Sequence, residues 1–241
     1  MCMQQAETLK QIAQPSFSDG IKDCIPTLLG YLSIGFAMGI VAVTSHLSIL
    51  EIGLLAALVY AGASQFIICA MVAVHSPISA IILTTFIVNL RHLLLSATIA
   101  PHFKNSSLFK NIGMGLLLTD ESFGVTVNKL AKREPITEQW LNGLNLTAYI
   151  SWVISCLCGG VFGQWVKNPE IFGLDFSLTA MFVALLILQL HSMNPSKLNH
   201  YILLIIYMII MMYGLSFFVS LDLAVIIATV IVSTIGVITD R

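Results

Sequence analysis

The stretch IVNLRHLLL, residues 87–95, decides the fold. It sits inside a predominantly apolar run from Pro77 to Ala100, yet it carries Arg91 and His92 at its middle. Such a run is long enough to cross a bilayer, which takes about 20 residues of helix. A charged side chain at the bilayer centre costs about 2.5–3.5 kcal/mol on insertion scales. Arg91 therefore calls for a compensating group elsewhere in the chain.

The rest of the chain agrees with a membrane setting. Its 241 residues are 57% hydrophobic and 10% charged, with a mean hydropathy of +0.92. Soluble domains carry about 25% charged residues, and a globule of this size cannot hide so much apolar surface. The composition predicts an all-α polytopic membrane protein, because a membrane barrel shows short alternating segments instead. The formal net charge of −1 comes without a Lys/Arg cluster, so nucleic acid is not an expected partner. The five cysteines lie mostly in apolar stretches, and Cys156-Leu157-Cys158 lacks C-x-x-C spacing, so all five read as packing residues. The first twenty residues hold no apolar core, which argues against a cleaved leader.

Eight spans are expected, over about 24–44, 51–74, 77–100, 112–129, 140–163, 175–190, 200–218 and 221–238; without the short sixth the count is seven. The last two leave room only for a tight helical hairpin. The whole chain, 1–241, reads as one membrane domain, with 1–23 a cytoplasmic segment and 24–238 the transmembrane bundle. With eight crossings, one face collects Lys10, Lys22, Lys129, Lys132, Arg133, Lys197 and Arg241, and the other Lys104, Lys110 and Lys167. The excess places both termini in the cytoplasm and puts the 101–111 loop on the opposite face. The sequence shows no clear internal repeat.

Arg91 lies ten residues before Pro101, and Asp120 lies nine after Asn111. At about 1.5 Å per residue both sit roughly 15 Å from one face, half of a 30 Å core. Arg91 and the Asp120-Glu121 pair are thus expected to meet, either as a structural ion pair, as a substrate or proton site, or as both. The second span adds YAGASQF, residues 60–66, with Gly62, Ala63, Ser64 and Gln65 near its centre. Either these small residues let helices approach closely, or the helix breaks at Gly62 and offers backbone amides and a half-helix N-terminus to an anion. Gln65 favours the break, because a buried amide needs partners. Asn142, Asn145, Thr147 and Ser151 form a polar stripe on the fifth span. His92 faces about 100° away from Arg91 and reads as a hydrogen-bonded packing residue. It has no second histidine at i+3 or i+4, so no metal site is expected.

The strings DCIPTLLGYLSIGFAMG (23–39), YAGASQF (60–66), NLRHLLL (89–95) and LLTDESFGV (117–125), with a weaker match in 177–190, resemble in order the AzlC-type branched-chain amino-acid permeases. Those are the large subunits of two-component bacterial exporters. The resemblance implies export of branched-chain or related amino acids, including analogues such as azaleucine, across the bacterial cytoplasmic (inner) membrane. It also implies a small hydrophobic AzlD-type membrane subunit as partner, and no cofactor. Some relatives carry Asp where this chain has Asn89.

An amino acid is a zwitterion with a small apolar side chain. Its carboxylate suits Arg91 or the amides after Gly62, and its ammonium suits Asp120 or Glu121. Ala63, Ser64, Gln65 and Asn89 complete the expected substrate-binding set, with Phe36, Met38 and Phe66 as apolar walls. An intramembrane carboxylate makes proton antiport the natural driving force. Two rivals stand beside this reading. One is an intramembrane hydrolase built on Ser64 and His92, since Gly62-Ala63-Ser64 resembles the rhomboid Gly-x-Ser-Gly string, with Gln65 replacing the last glycine. The other is a channel lined by Arg91 and Asp120, although channels favour repeated rings over one asymmetric cluster.

Overall fold

A computed structural model describes residues 14–165, 183, 186, 187, 190, 195–219 and 221–239. Among these there are α-helices and one 3₁₀ turn but no strands. The chain divides into two compact units, Met1–Leu178 and Thr179–Arg241. The first contains α1 (Phe17–Thr44), α2 (Ile49–Leu58), α3 (Gly62–Ala73), α4 (Ile78–Ile99, continued by a 3₁₀ turn Ala100–Phe103), α5 (Leu108–Leu116), α6 (Asp120–Ala131) and α7 (Glu138–Gly163). The second contains α8 (Pro195–Leu215) and α9 (Leu221–Thr239). These last two form the expected antiparallel hairpin, with Gly236 late in α9 against Leu204 early in α8. The expected sixth span, 175–190, falls almost wholly outside the described residues.

Four helices are long and apolar enough to cross a membrane: Phe17–Thr44, Ile78–Phe103, Glu138–Gly163 and Lys197–Leu215. The expected second and fourth spans are not among them. Both are broken, at Val59–Ala61 and at Leu117–Thr119, and neither crosses. The neighbours along α7 show this for the first. Ile49 and Ile52 lie against Gly160, Gly53 against Leu157, and Ala57 accepts a hydrogen bond from Tyr149 Oη at 3.1 Å. After the break, Gly62 lies under Trp152. The chain goes down beside α7 and turns at its middle, and Gln65 Nε2 on α3 donates back to Val59 O at 2.7 Å and Leu55 O at 3.2 Å. This is a re-entrant hairpin, here hairpin 1.

Hairpin 2 (α5–α6) enters from the other end. Lys110 Nζ pairs with Glu138 Oε2 at 2.8 Å at the start of α7, Asn145 Nδ2 donates to Met114 O at 3.1 Å deeper in, and Lys129 returns to pair with Asp23 at 3.0 Å. With limbs of 9 to 12 residues, at about 1.5 Å per residue, each hairpin reaches roughly half of a 30 Å core.

The loop expectation is corrected with it. Ser106 donates to Glu138, and Thr137 Oγ1 donates to Pro15 O at 2.6 Å, so the 101–111 loop, the 132–137 loop and the N-terminal segment share one end of the unit. A re-entrant segment reverses no side, and two of them undo the alternation that eight crossings impose. The equal-depth estimate for Arg91 and Asp120 survives because both were measured from this shared face.

The hairpins also disclose a repeat that the residue types hide. Residues 58 apart correspond: α3 and α6 have the same length and start 58 residues apart, at Gly62 and Asp120, and the breaks begin at Val59 and Leu117. Both limbs end on a left-handed residue 58 apart, His75 (φ 55°) and Arg133 (φ 59°). Each supports the crossed hydrogen bonds of a Schellman stop: His75 N to Val72 O and Ser76 N to Met71 O, Arg133 N to Leu130 O and Glu134 N to Lys129 O. Since α1 and α4 run in opposite directions, the repeat is inverted, the arrangement of many secondary transporters.

A parallel pair, α1 and α7, is the frame. Gly20, Gly39, Gly143 and Gly159 lie so close to the facing backbone that a Cβ would fall 2.0–2.2 Å from a carbonyl oxygen. In lipid, where apolar surface gives helices no reason to associate, such small-residue approaches supply the contact.

Candidate functional site

The tips of both hairpins lie at mid-depth, beside the middles of α1, α4 and α7. Arg91 Nη1 pairs with Asp120 Oδ2 at 2.9 Å, with both side chains only 28% and 20% exposed. The two charges that sequence placed at one depth do meet. Asp120 and Glu121 occupy the first turn of α6, where the helix dipole favours carboxylates. Thr119 and Ser122 close a reciprocal capping box there, so α6 starts as a rigid unit. Glu121 does not join Arg91; its Oε2 accepts from Tyr31 Oη at 3.1 Å, and the same hydroxyl is hydrogen-bonded to Thr119 Oγ1.

Hairpin 1 supplies the opposite sign. Among the described residues no side chain caps the N-terminus of α3, so the amides of its first turn, at Gly62, Ala63 and Ser64, present a positive end. Ser64 Oγ donates to Asn89 Oδ1 at 2.5 Å, tying this end to α4 two residues from Arg91. Ala63, Ser64 and Gln65 are buried.

Gln65, one of the expected substrate-binding residues, has protein partners. Its Nε2 holds the carbonyls of Leu55 and Val59, and its Oε1 accepts from Trp152 Nε1 at 3.0 Å, so protein groups occupy both ends of the amide. Gln65 fastens the break. Gln65→Leu keeps the volume but strands the Trp152 N–H, and an unsatisfied buried donor costs about 1–3 kcal/mol. The melting temperature in detergent should fall by about 3–10 °C. An unchanged melting curve would show that hairpin 1 is held by other means.

At Gly62 a Cβ would lie 3.0 Å from the Trp152 ring, so a side chain there presses on Trp152. The expected apolar walls do not converge. Met38 and Phe66 are buried in the frame, while the Phe36 ring packs against Phe162 at 5.6 Å.

His92 donates through Nδ1 to Leu118 O at 3.0 Å and so grips the tip of hairpin 2. Ser64 and His92 are thus committed to separate partners, Asn89 and Leu118, and form no nucleophile–base pair among the described residues. Three buried polar atoms near the centre have no hydrogen bond within 3.5 Å among the described residues: Tyr60 Oη, Arg91 Nε and His92 Nε2. In a low-dielectric interior such atoms are costly, and here they sit around the ion pair. Beside the tip of hairpin 2 lies a cavity of about 210 Å³, lined by Leu93, Ala97, Phe103, Asn111, Met114 and Leu118 among others.

Sequence reasoning missed Tyr31, Tyr60, Thr119 and Trp152. Tyr31 and Trp152 pack edge to face at 5.8 Å and link the hairpins, one through Thr119 and Glu121, the other through Gln65. A tyrosine hydroxyl or indole N–H in mid-span was the available signal, because either needs a partner in lipid.

At the end that carries the N-terminal segment, Lys110 Nζ pairs with Glu138 Oε2 at 2.8 Å and the Ser106 hydroxyl donates to Glu138 Oε1. Lys22, Lys104, Lys110, Lys129, Lys132 and Arg133 all lie at this end. The described residues of the opposite end, 44–49, 74–77 and 164–165, include no lysine or arginine.

Comparison with known proteins gives one consistent answer. The inner membrane protein YgaZ of Escherichia coli is 30% identical over 71% of this chain and 72% of its own. An uncharacterized membrane protein of Archaeoglobus fulgidus is 34% identical over 71% of this chain and 74% of its own. The branched-chain amino acid transport protein AzlC of Bacillus subtilis is 27% identical over 72% and 68%. No solved structure matches. The family model described as AzlC protein matches residues 26–166, from α1 to just past α7, which takes in both hairpins and every residue of the central cluster. The chain belongs to the AzlC family.

Proposed function

We propose that the protein is a secondary transporter that exports branched-chain or related small apolar amino acids across the bacterial cytoplasmic membrane. The observation that carries this reading is the pairing of opposite signs at mid-depth: Arg91 and an uncapped half-helix N-terminus on one side, Asp120 and Glu121 on the other. A zwitterion needs that arrangement, with its carboxylate on the Arg91 guanidinium or the α3 amides and its ammonium on Asp120 or Glu121. Half-helix termini at the repeat interface are a recurrent substrate site in secondary transporters.

The carboxylates also suit proton antiport. A proton taken up by Asp120 releases the ammonium, and the same residue, deprotonated, binds the next one. The amino-acid class rests on the name of the Bacillus relative and on the resemblance that also implies an AzlD-type membrane partner. No enzyme activity is proposed, since the Ser64–His92 pairing that a hydrolase needs is not formed.

Efflux of leucine and valine from dipeptide-loaded cells lacking their own exporters tests the reading, with and without a co-expressed small partner subunit. Saturable efflux that collapses when the proton gradient is removed is expected. Equal efflux from cells without the protein would overturn it.

Six cations among the described residues of the N-terminal end, against none among the described residues of the other, support a cytoplasmic N-terminal end; Lys167 lies outside the described residues. Lys104 and Lys110, contrary under eight crossings, join the majority. On a cysteine-free background, Asn105→Cys should react with an impermeant maleimide only from the cytoplasm, and Val74→Cys only from outside. The reverse pattern, which eight crossings from a cytoplasmic N-terminus would give, would overturn the hairpins and the assignment together, and labelling of the two from one side would mean that α4 does not cross.

A further inference from the structure

The two halves of the inverted repeat share a correspondence at the hairpin tips. Tyr31 on α1 and Asn89 on α4 are also 58 residues apart. Tyr31 bonds Thr119 and Glu121 at the start of α6, while Asn89 accepts from Ser64 at the start of α3. Each long helix therefore grips the hairpin of the opposite half, and each grips it in the first turn of the returning limb. The hairpins are rooted at opposite ends of the unit, so releasing one grip loosens a tip from one end only.

Tyr31 also has a second place to go. Tyr60, on the tip of hairpin 1, carries a buried hydroxyl with no hydrogen bond within 3.5 Å among the described residues, yet it lies close enough to the Tyr31 hydroxyl to interact with it and within electrostatic range of Glu121. A hydroxyl with two alternative partners on two hairpins can serve a two-state element, and inverted-repeat transporters need one on each side of the substrate.

We propose that Tyr31 and Asn89 are paired latches of alternating access. Tyr31 keeps hairpin 2 closed against the N-terminal end, and Asn89 keeps hairpin 1 closed against the other. They act as positioning residues for the transport cycle, and the proposal rests on the transporter reading. Tyr31→Phe preserves the ring against Trp152 and removes both bonds to hairpin 2. Asn89→Leu preserves bulk and removes the bond to hairpin 1.

Sided labelling separates the two on a cysteine-free background, with reporters Leu117→Cys at the tip of hairpin 2 and Val59→Cys at the tip of hairpin 1. An impermeant maleimide is applied to right-side-out and to inside-out vesicles. Tyr31→Phe should raise the labelling rate of Leu117→Cys from the N-terminal end at least about fivefold, the effect of one of its two hydrogen bonds, and leave Val59→Cys no faster. Asn89→Leu should raise Val59→Cys labelling from the opposite end by a similar factor, and Ser64→Ala, which removes the donor of the same bond, should reproduce it. Faster labelling from one and the same end in both variants, or no change in either, overturns the latches. The assay needs no substrate. A wild type that fails to export amino acids therefore sinks the functional reading alone, and one that exports them with unchanged labelling in both variants sinks the latches alone.

Discussion

Gly159→Leu should leave no folded protein to extract. A Cβ at this position would lie 2.0 Å from Phe36 O and 2.8 Å from the same residue's C and Cα atoms. These are backbone atoms, so no rotamer change relieves the clash, and α1 and α7 must part. Inserting even a methylene into a well-packed core costs about 1–3 kcal/mol; a leucine against rigid backbone costs more, in a protein class stable by about 5–15 kcal/mol.

Separation here would also undo the site, because hairpin 1 lies on α7 through Tyr149 and Trp152, and Tyr31 of α1 holds hairpin 2. Gel filtration of detergent extracts with a fluorescent fusion should show no monodisperse peak for Gly159→Leu or for Gly39→Leu, whose Cβ meets Cys156 O at 2.1 Å. Gly30→Leu and Gly113→Leu, with nothing within 4 Å of the added atom, should elute like the wild type. A normal peak for Gly159→Leu would mean that the parallel pair is not the frame.

The sequence carries the chemistry of this site better than its topology, and the reason is physical. Arg91 and Asp120 are legible because a charge in lipid needs a partner at its own depth, and depth can be counted from a loop. Gln65 is legible as the mark of a break, because a buried amide must spend its hydrogen bonds on something.

Crossing or turning back is a different matter. Ile49–Ala73 holds two apolar limbs whose summed length equals one span, so hydropathy reads the same for a helix that crosses and a hairpin that returns. The residues that decide are Tyr149, Trp152 and Gly160, a hundred positions away on α7. The repeat is hidden for a related cause. It lies in helix lengths, break positions and αL stops, which many residue types satisfy: His75 and Arg133 do the same backbone work. Only the lysines gave a hint, since Lys104 and Lys110 fit one side only when hairpin 2 re-enters.

The second large effect concerns the ion pair. Arg91→Ala strands Asp120 in a medium that cannot solvate it, and removing one member of a buried pair costs about 3–5 kcal/mol. Both Arg91→Ala and Asp120→Ala should lose efflux altogether and lower the membrane yield. The double variant, with no charge left to bury, should recover yield and remain inactive. Yield and efflux must come apart in this way if the pair binds cargo as well as holding α4 to α6.

Arg91→Lys sharpens the distinction. A lysine ammonium can still neutralise Asp120, but it lacks the planar fork that takes a carboxylate in two bonds. In the structure Nη1 faces Asp120, and Nε is buried with no hydrogen-bond partner among the described residues, so guanidinium donors remain for a ligand. Arg91→Lys should therefore fold like the wild type while efflux of leucine falls by about tenfold or more, the loss of one charge-assisted hydrogen bond. Efflux at the wild-type rate from Arg91→Lys, or from the double alanine variant, would reduce the pair to a structural clasp and move the carboxylate site to the open amides of α3.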